Sequence, residues 1–220
     1  MPLELTPEQG AAARRVSDLL LDIEAVHIRP HEPFTFTSGL KSPVYVDCRK
    51  IISFPVARTA IMDAAAETLG RLEPFDVVAG GETAGIPFAA WLAERLNLPM
   101  VYVRKQPKGF GRNARIEGHM REGSRVLLVE DLTTDGGSKI GFADAIREAG
   151  SEATDTFSVF YYDTFPDAPA TLKGAGMDLH FLATWWSVLD AARAKGRDAA
   201  ELAEAERFLR APDRWRAEQD

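Results

Sequence analysis

Short apolar runs alternate with helical stretches from Asp76 onward, and this alternation constrains the fold more than any other feature. The runs are rich in β-branched residues and cover 76–79, 100–103, 125–130, 156–161 and 179–183. Helices are expected between them at 86–96 and 138–148, with glycine or proline at their edges. Buried strands separated by helices are typical of a parallel sheet that is covered on both faces. The pattern predicts an α/β fold: a doubly wound, mainly parallel sheet flanked by helices.

The two ends of the chain show other patterns. Thr6, followed by proline and glutamate, is typical of a helix start. Residues 34–47 predict a hairpin-like pair of short strands, and a helix is expected at 54–69. The tail, 185–220, predicts one or two helices with a break near Pro212.

The length limits the number of domains. With 220 residues the chain is long enough for one α/β domain with a small appendage, and two independent domains would fit poorly. We expect a single domain over 1–220, with a core at about 71–176. A small hood would be formed by 1–70 together with 177–220.

Net charge and cysteine content limit which binding partners and which cellular compartment we expect. The chain carries 33 acidic and 26 basic residues, a net charge of −7, which offers no general attraction to nucleic acid or to an anionic membrane surface. The single cysteine, Cys48, cannot form an intrachain disulfide. No segment has the pattern of a membrane span or a signal peptide. We therefore expect a cytoplasmic protein that binds neither nucleic acid nor membrane.

The segment VLLVEDLTTDGGS (126–138) carries the strongest chemical signal. A buried strand ends in two acidic residues and continues through a Thr/Gly-rich turn into a helix, and ligands of open α/β sheets bind at such strand ends. Hydroxyls and backbone N–H groups at a helix N-terminus form a cradle for a phosphate monoester. The carboxylates can accept hydrogen bonds from vicinal ribose hydroxyls. The candidate binding residues are Glu130, Asp131, Leu132, Thr133, Thr134, Asp135, Gly136, Gly137 and Ser138.

Two common nucleotide-binding patterns do not fit this segment. It lacks the lysine that follows the second glycine of a Walker motif. It also lacks the G-x-G-x-x-G turn of nicotinamide-cofactor proteins. The remaining alternative is an ordinary connection between a strand and a helix.

A basic segment, RKQPKGFGRNARIE (104–117), directly follows a predicted strand. Its proline and glycine residues disfavour regular structure, so it can form a mobile loop that closes on a polyanion. Cations in such a loop can neutralise the charge of a leaving pyrophosphate. A solvated basic loop is the alternative, although concentrating cations in an acidic chain favours a local function. The cations are Arg104, Lys105, Lys108, Arg112 and Arg115.

These segments resemble those of the type I phosphoribosyltransferases, and of the orotate phosphoribosyltransferases in particular. VLLVEDLTTDGGS is similar to that family's motif for phosphoribosyl pyrophosphate, with apolar residues, an acidic pair and a Thr/Gly loop. The segment 104–117 resembles the family's catalytic loop, which implies that Arg104, Lys105 and Lys108 bind pyrophosphate and act with Asp131 in catalysis. In that family the loop commonly reaches into the neighbouring subunit. The resemblance thus implies a homodimer that shares this loop across its interface.

The turn AGGETAGIP (79–87) is similar to the family's pyrophosphate-binding loop. The resemblance places backbone amides of this turn against the ligand. An ordinary strand-to-helix turn that needs small residues is the alternative. The candidate residues are Gly81, Glu82, Thr83 and Ala84.

The segment 34–47 resembles the family's orotate-binding hairpin, and its alternative is a half-buried hairpin without a ligand. The resemblance leaves the partner of the orotate carboxylate open. Lys41 is the first candidate, followed by Arg49 and Lys50. Thr134 is the implied contact to the orotate ring.

The chain departs from the family pattern at four positions, and each departure removes a cationic or titratable side chain. Phe110 stands where many members carry a histidine, and Ala84 stands where many carry a lysine. Thr37 replaces a lysine that several members have, and Thr164 lies where an orotate-binding arginine is often found.

The resemblance implies transfer of a 5-phosphoribosyl group from phosphoribosyl pyrophosphate to orotate, giving orotidine 5′-phosphate and pyrophosphate in pyrimidine biosynthesis. Mg²⁺ is the implied cofactor, held mainly by substrate oxygens and water, so a dedicated protein metal site is not expected. Two alternatives share the same donor-binding loops. One is a phosphoribosyltransferase for another nucleobase, and the other is a regulator that senses the donor without turning it over.

Overall fold

The computed structural model describes residues 3–36, 39–109, 115–164 and 167–218. Its helices are α1 (Pro7–Asp22), a 3₁₀ helix (Cys48–Ser53), α2 (Pro55–Leu69), α3 (Gly85–Leu96), α4 (Gly137–Glu148), α5 (Ala168–Gly174), α6 (Trp185–Ala194), α7 (Ala199–Arg210) and α8 (Pro212–Ala217). Its strands are β1 (Val26–Ile28), β2 (Phe34–Thr35), β3 (Lys41–Ser42), β4 (Val44–Val46), β5 (Val77–Gly81), β6 (Met100–Val103), β7 (Ile116–Glu117), β8 (Arg125–Thr133), β9 (Glu152–Tyr161) and β10 (Asp178–Thr184).

The chain divides into two compact units. The first unit comprises Met1–Ala57, Tyr162–Thr164 and Ala183–Asp220. The core unit comprises Arg58–Tyr161 and Phe165–Leu182. The boundaries predicted from the sequence, one domain with a core and a hood, stay a prediction.

The core unit is built on a six-stranded sheet in the order β10-β9-β8-β5-β6-β7. β5 pairs in parallel with β6 and β8, and β8 pairs in parallel with β9, whereas β7 is antiparallel to β6. The apolar runs found in the sequence fall in β5, β6, β8, β9 and β10, and the two helices expected between them are α3 and α4. The predicted α/β fold with a mainly parallel sheet is confirmed.

The central strand β8 is apolar because both of its faces are covered. Its residues from Val126 to Val129 are fully buried. Val126 and Leu128 share a hydrophobic cluster with Phe142 and Ile146 of α4. Full burial of one such side chain stabilises the fold by about 1.5–3 kcal/mol, so β8 is held firmly at the centre of the sheet.

The connections leave the two central strands in opposite directions. β5 leads through α3 to β6 on one side, whereas β8 leads through α4 to β9 on the other. The carboxyl ends of β5 and β8 therefore flank the point where the strand order reverses. Open α/β sheets form their ligand crevice at such a point.

Two element boundaries differ from the prediction, and both affect the site. β8 continues to Thr133 because its ladder with β9 persists as far as Thr133 and Tyr161. Leu132 and Thr133, the two residues after the acidic pair, thus belong to the strand and not to the turn. The segment 104–117 was expected to be irregular, but Ile116–Glu117 forms β7. This strand pairs antiparallel with β6 at the edge of the sheet, so β6 and β7 form a hairpin.

The first unit contains α1, the short strands β1 to β4 and the helices α6 to α8. Thr6 caps α1 as predicted: its hydroxyl accepts the backbone N–H of Gln9, and the Gln9 side chain accepts the backbone N–H of Thr6. The expected break in the tail is also confirmed, because α7 ends at Arg210 and α8 begins at Pro212. Within the described residues, no helix has the length and apolar character needed to cross a membrane.

A pair of short strands forms within residues 34–47, as predicted, but the segment Val44–Val46 does not belong to it. β2 pairs with β3, while β4 pairs with β1, which lies upstream of the predicted hairpin. The physical reason is burial: Val44 and Val46 lie on the buried face of β4, and pairing with β1 places Val46 opposite the buried Val26. Neither β2 nor β3 offers a buried apolar side chain, because Phe34 of β2 is only half-buried and β3 consists of Lys41 and Ser42.

Candidate active site

Glu130 lies at the carboxyl end of β8, beside the turn that follows β5. Only 9% of the residue is exposed, and its Oε1 atom is buried without a hydrogen-bond partner. The neighbouring backbone leaves no room for side chains: a Cβ added at Gly81 or Gly85 would lie 1.8 Å or 2.9 Å from Oε1. The two glycines are therefore required by the position of this carboxylate. Buried polar atoms without partners are rare and frequently mark functional sites.

The environment of Glu130 changes its ionisation. Burial raises the pKa of Glu130 to about 7, which the nearby cation of Lys139 opposes. The charge of Asp131 raises this pKa further, and Lys105 lowers it. Near neutral pH the side chain thus changes between a hydrogen-bond acceptor and a neutral acid.

Lys139, in the first turn of α4, was not identified from the sequence. Its residue exposure is 1%, and its Nζ donates a hydrogen bond of 2.8 Å to the carbonyl oxygen of Leu132 at the end of β8. Burial lowers the pKa of Lys139, while the charges of Glu130, Asp131 and Asp135 raise it. A signal for this residue was present: Lys139 precedes Phe142, Ala143 and Ile146 at the helical spacing of a buried face.

The turn after β8 only partly matches the predicted phosphate cradle. Thr133 is fully buried and its hydroxyl is bonded to the hydroxyl of Ser158 at 2.6 Å, so this side chain is not presented to a ligand. The backbone N–H of Gly137 donates to Asp135 Oδ1 at 3.0 Å. One of the amides expected to bind phosphate is thus occupied by a carboxylate of the same loop. Thr134 is half-buried, and Ser138 is exposed.

Gly136 sets the shape of this turn. Its φ is +85°, a conformation that side chains rarely adopt, and a Cβ there would lie 2.8 Å from Leu172 Cγ. Only glycine at this position lets the backbone before α4 pack closely against Leu172 of α5. The first residues of α4 have no side-chain cap other than the Asp135 contact.

The turn after β5 is tied to the basic segment. The backbone N–H of Glu82 donates to Val103, and the Glu82 carboxylate accepts the backbone N–H of Lys105 at 2.8 Å. Thr83 is exposed, and Ala84 is half-buried at the start of α3, whose N-terminus has no side-chain cap. The predicted pyrophosphate turn and the root of the predicted catalytic loop are thus in direct contact.

Glu117 of β7 holds two of the predicted pyrophosphate-binding cations. Its carboxylate lies 3.4 Å from the Arg104 guanidinium and 3.9 Å from the Lys108 ammonium. The Lys108 side chain is 73% exposed, so this pair is weak and readily exchanged for a stronger anion. Lys105 is exposed as well.

Arg115 differs from the prediction that it is a free cation of the loop. Its guanidinium donates to the carbonyl oxygens of Arg104 and Gly141 and lies over the ring of Phe142. It closes the base of the hairpin and is not available for a ligand in this arrangement. Phe110 and Arg112 lie outside the described residues.

The candidates for orotate recognition belong to the first unit. Lys41 is half-buried in β3, Arg49 is paired with Asp47, and Lys50 is paired with Glu24. Their contact with orotate stays a prediction. Thr164 is half-buried in the same unit, whereas Thr37 and Ser38 lie outside the described residues.

Comparison with known proteins identifies the family. The phosphoribosyl transferase domain family matches residues 55–163. An orotate phosphoribosyltransferase of Cereibacter sphaeroides is 61% identical over 213 residues, which are 95% of this chain and 92% of that protein. The chain belongs to the orotate phosphoribosyltransferase family. The orotate phosphoribosyltransferase of Roseobacter denitrificans is 57% identical, with 95% of each chain covered. The crystal structure of orotate phosphoribosyltransferase from Aeropyrum pernix is 29% identical, has a TM-score of 0.70, and covers 81% of this chain and 98% of its own.

In this orotate phosphoribosyltransferase fold, the predicted site residues of the core unit fall into two groups. One group converges at the carboxyl ends of β5, β6 and β8, where Glu130 meets the glycine turn and Glu82 meets Lys105. The other group is already bonded within the protein. The hydroxyl of Thr133 is bonded to that of Ser158, and the Arg115 guanidinium donates to the Arg104 carbonyl oxygen. The converging group combines carboxylates, a glycine turn and an exposed cation.

Proposed function

We propose that the protein transfers the 5-phosphoribosyl group of phosphoribosyl pyrophosphate to N1 of orotate. The products are orotidine 5′-phosphate and pyrophosphate, and the reaction is a step of pyrimidine biosynthesis. The observation that carries this proposal is the 61% identity, over 95% of the chain, to a relative named for this activity. The position of Glu130 at the strand switch point supports it.

Three parts of the core unit bind the different groups of the donor. Glu130 and Asp131 accept hydrogen bonds from the ribose hydroxyls, and the turn from Thr134 to Ser138 receives the 5′-phosphate. Pyrophosphate lies against the turn 81–84 and the cations of the basic segment. Thr133 contributes to this arrangement through its place in β8 and not through its hydroxyl, which is bonded to Ser158.

The reaction breaks the bond between the anomeric carbon and a pyrophosphate oxygen, forms a bond from that carbon to N1 of orotate, and releases the N1 proton to pyrophosphate or water. Positive charge develops on the ribose ring and negative charge on the leaving group. Catalysis therefore depends on positioning and on charge stabilisation, without a protein nucleophile. Arg104, Lys105 and Lys108 supply the cations for the leaving group, and Glu117 lies beside Arg104 and Lys108.

We propose Mg²⁺ as the cofactor. Among the residues that the structure describes, no group of three or more histidine, cysteine or acidic side chains is arranged to hold a metal ion. Mg²⁺ prefers oxygen ligands and retains water, so the donor's own ribose and pyrophosphate oxygens suit it as ligands. When bound, the ion neutralises charge on pyrophosphate.

The function is tested with a panel of bases. Purified protein is supplied with phosphoribosyl pyrophosphate, Mg²⁺ and one of orotate, uracil, adenine, guanine or hypoxanthine, and pyrophosphate release is measured. We expect release with orotate alone. Release with a different base would overturn the base assignment, and donor binding without release for any base would indicate a regulator.

We also propose a homodimer in which the segment 104–117 reaches the partner's site. Mixing Lys108→Ala with Asp131→Asn subunits tests this arrangement. If the loop acts across the interface, one site of each mixed dimer contains neither substitution, and activity is recovered. If the loop acts within its own subunit, every site carries one substitution and the mixture stays inactive. A cytoplasmic location stays a prediction.

A further inference from the structure

Lys139 has no role in the donor contacts described above, yet it is the most deeply buried cation beside them. A buried ammonium without a structural or functional reason is costly, because a charge loses its hydration when it leaves water. Its aliphatic chain lies on the face of α4 that packs into the core, and only 1% of the residue is exposed. The ammonium itself faces the end of β8, where it donates to the Leu132 carbonyl at 2.8 Å.

The acidic groups around this ammonium come from one strand and one turn. Glu130 and Asp131 belong to the end of β8, and Asp135 belongs to the turn before α4. The charge of Lys105, an exposed residue of the basic segment, also acts on Glu130. Lys139 is therefore the only fully buried counter-charge among the described groups that act on Glu130.

Glu130 needs such a counter-charge for chemical reasons. Its Oε1 has no hydrogen-bond partner and is enclosed by the backbone of Gly81 and Gly85, an environment that favours the neutral acid. Only the carboxylate can accept hydrogen bonds with both oxygens, as recognition of a ribose diol requires. The buried ammonium of Lys139, at the end of β8, can favour the ionised form.

We propose that Lys139 is a positioning residue for the donor: its buried ammonium holds the end of β8 and keeps Glu130 in the carboxylate form that accepts the ribose hydroxyls. The inference rests on the proposed function, because it assumes a ribose at Glu130. It adds a residue of α4 to a site otherwise formed by strand ends and turns. Lys139 acts through Glu130 and Leu132 and does not itself touch the donor.

The test separates the charge of Lys139 from its hydrogen bond. Lys139→Gln retains a donor for the Leu132 carbonyl but removes the charge, and Lys139→Arg retains the charge. The matched control is Lys173→Gln, a lysine of α5 that is 69% exposed and paired with Asp178. For each variant, kcat/KM for phosphoribosyl pyrophosphate is measured from pH 5.5 to 9 with orotate saturating, and donor binding is measured by calorimetry over the same range.

We expect Lys139→Gln to move the acid side of the pH profile to higher pH by about one unit, since loss of a neighbouring positive charge raises the pKa of a carboxyl group. At pH 7 this shift lowers kcat/KM for the donor about fivefold, and at pH 9 the loss nearly disappears. Lys139→Arg and Lys173→Gln keep the wild-type limb. The donor's own phosphates titrate identically in every variant, so the difference between profiles belongs to the protein.

Two results would overturn the inference. One is a loss in Lys139→Gln that is equal at all pH values, which indicates a purely structural role. The other is an unchanged profile. If Lys139→Gln does not fold, Lys139→Met is used with the same readouts. Wild-type protein that binds donor but does not turn over orotate would refute the proposed function alone, because the calorimetric profiles still report on Lys139.

Discussion

The carboxylate of Glu130 occupies the space that a side chain at Gly81 would need. A Cβ at Gly81 would lie 1.8 Å from Oε1 of Glu130, closer than any non-bonded contact allows. The two residues sit on neighbouring strands, β5 and β8, at the same edge of the sheet. The glycine turn and the acidic pair, recognised separately in the sequence, are therefore one structural unit.

Substitution of Gly81 by alanine is expected to displace Glu130 and to impair the reaction. The Cβ would also lie 2.7 Å from the Phe142 ring, so we expect a loss of stability of about 1–3 kcal/mol from overpacking. Misplacement of a positioning group by about 1 Å can lower the rate roughly a hundredfold. Steady-state kinetics and thermal unfolding measure the two effects. Gly141→Ala is the matched control, because nothing lies within 4 Å of a Cβ at that helical position, and activity there should not change.

Glu130→Gln is expected to raise the stability of the protein while abolishing donor binding. The folded protein holds a proton on Glu130 at pH values where the unfolded chain has released it, since the pKa rises from 4.5 to about 7 on folding. The unfolding free energy of the wild type therefore falls as pH increases between those values. Glutamine removes this decline and stabilises the protein at pH 8 by up to about 3 kcal/mol, while donor binding is lost.

Unfolding measured at pH 5 and pH 8 checks this prediction. The difference between Glu130→Gln and wild type should be larger at pH 8. Glu67→Gln, which removes an exposed carboxylate of α2, should show no such dependence. A wild-type protein that becomes more stable from pH 5 to pH 8 by as much as Glu130→Gln would contradict the assignment.

Asp135 is expected to compete with the donor phosphate for the N-terminus of α4, because it accepts a backbone N–H there. Its carboxylate accepts the Gly137 N–H, and its charge lies where the phosphate is proposed to bind. A charge at a helix terminus contributes about 0.3–1 kcal/mol, so Asp135→Asn should tighten donor binding about two- to fivefold. Calorimetry with phosphoribosyl pyrophosphate measures the affinity. Weaker donor binding by Asp135→Asn would show that the carboxylate itself supports the ligand.

Lys108→Ala is expected to lower turnover without lowering stability. The side chain is 73% exposed and its pair with Glu117 is long, so the folded state loses little. Removal of one charge-stabilising group from a transition state costs about 2.7–4 kcal/mol. Lys173→Ala is the control for loss of an exposed lysine. Unchanged kcat in Lys108→Ala would remove this residue from the catalytic scheme.

Much of the fold follows from local sequence patterns. The apolar runs that form β5, β6, β8, β9 and β10 are visible as runs because strands covered on both faces need apolar residues at every position. The capping box at Thr6 and the break before Pro212 are equally local, since they involve residues within one helical turn. The Thr/Gly composition of the turn after β8 was visible for the same reason, and its binding of a phosphate stays a prediction.

Other features depend on contacts between residues far apart in the chain, and the sequence alone does not specify those contacts. The register of β8 against β9 extends the strand to Thr133 and brings its hydroxyl to Ser158. β4 pairs with β1, and not with its sequence neighbour β3, because this pairing buries its valine side chains. The sequence predicts that Arg115 is a free cation of the loop. In the structure the hairpin brings its guanidinium to the Gly141 carbonyl oxygen.

The sequence by itself determined the α/β class, the order of the strands along the chain and the residue types available at the strand ends, because these depend on short-range periodicity and turn chemistry. Only the tertiary structure decided which of those residues lie together at the edge of the sheet. Glu130, Gly81 and Lys139 form one site because three separate segments pack at one edge of the sheet. Their ionisation depends on the burial and the charges that this packing creates, and neither exists in the unfolded chain.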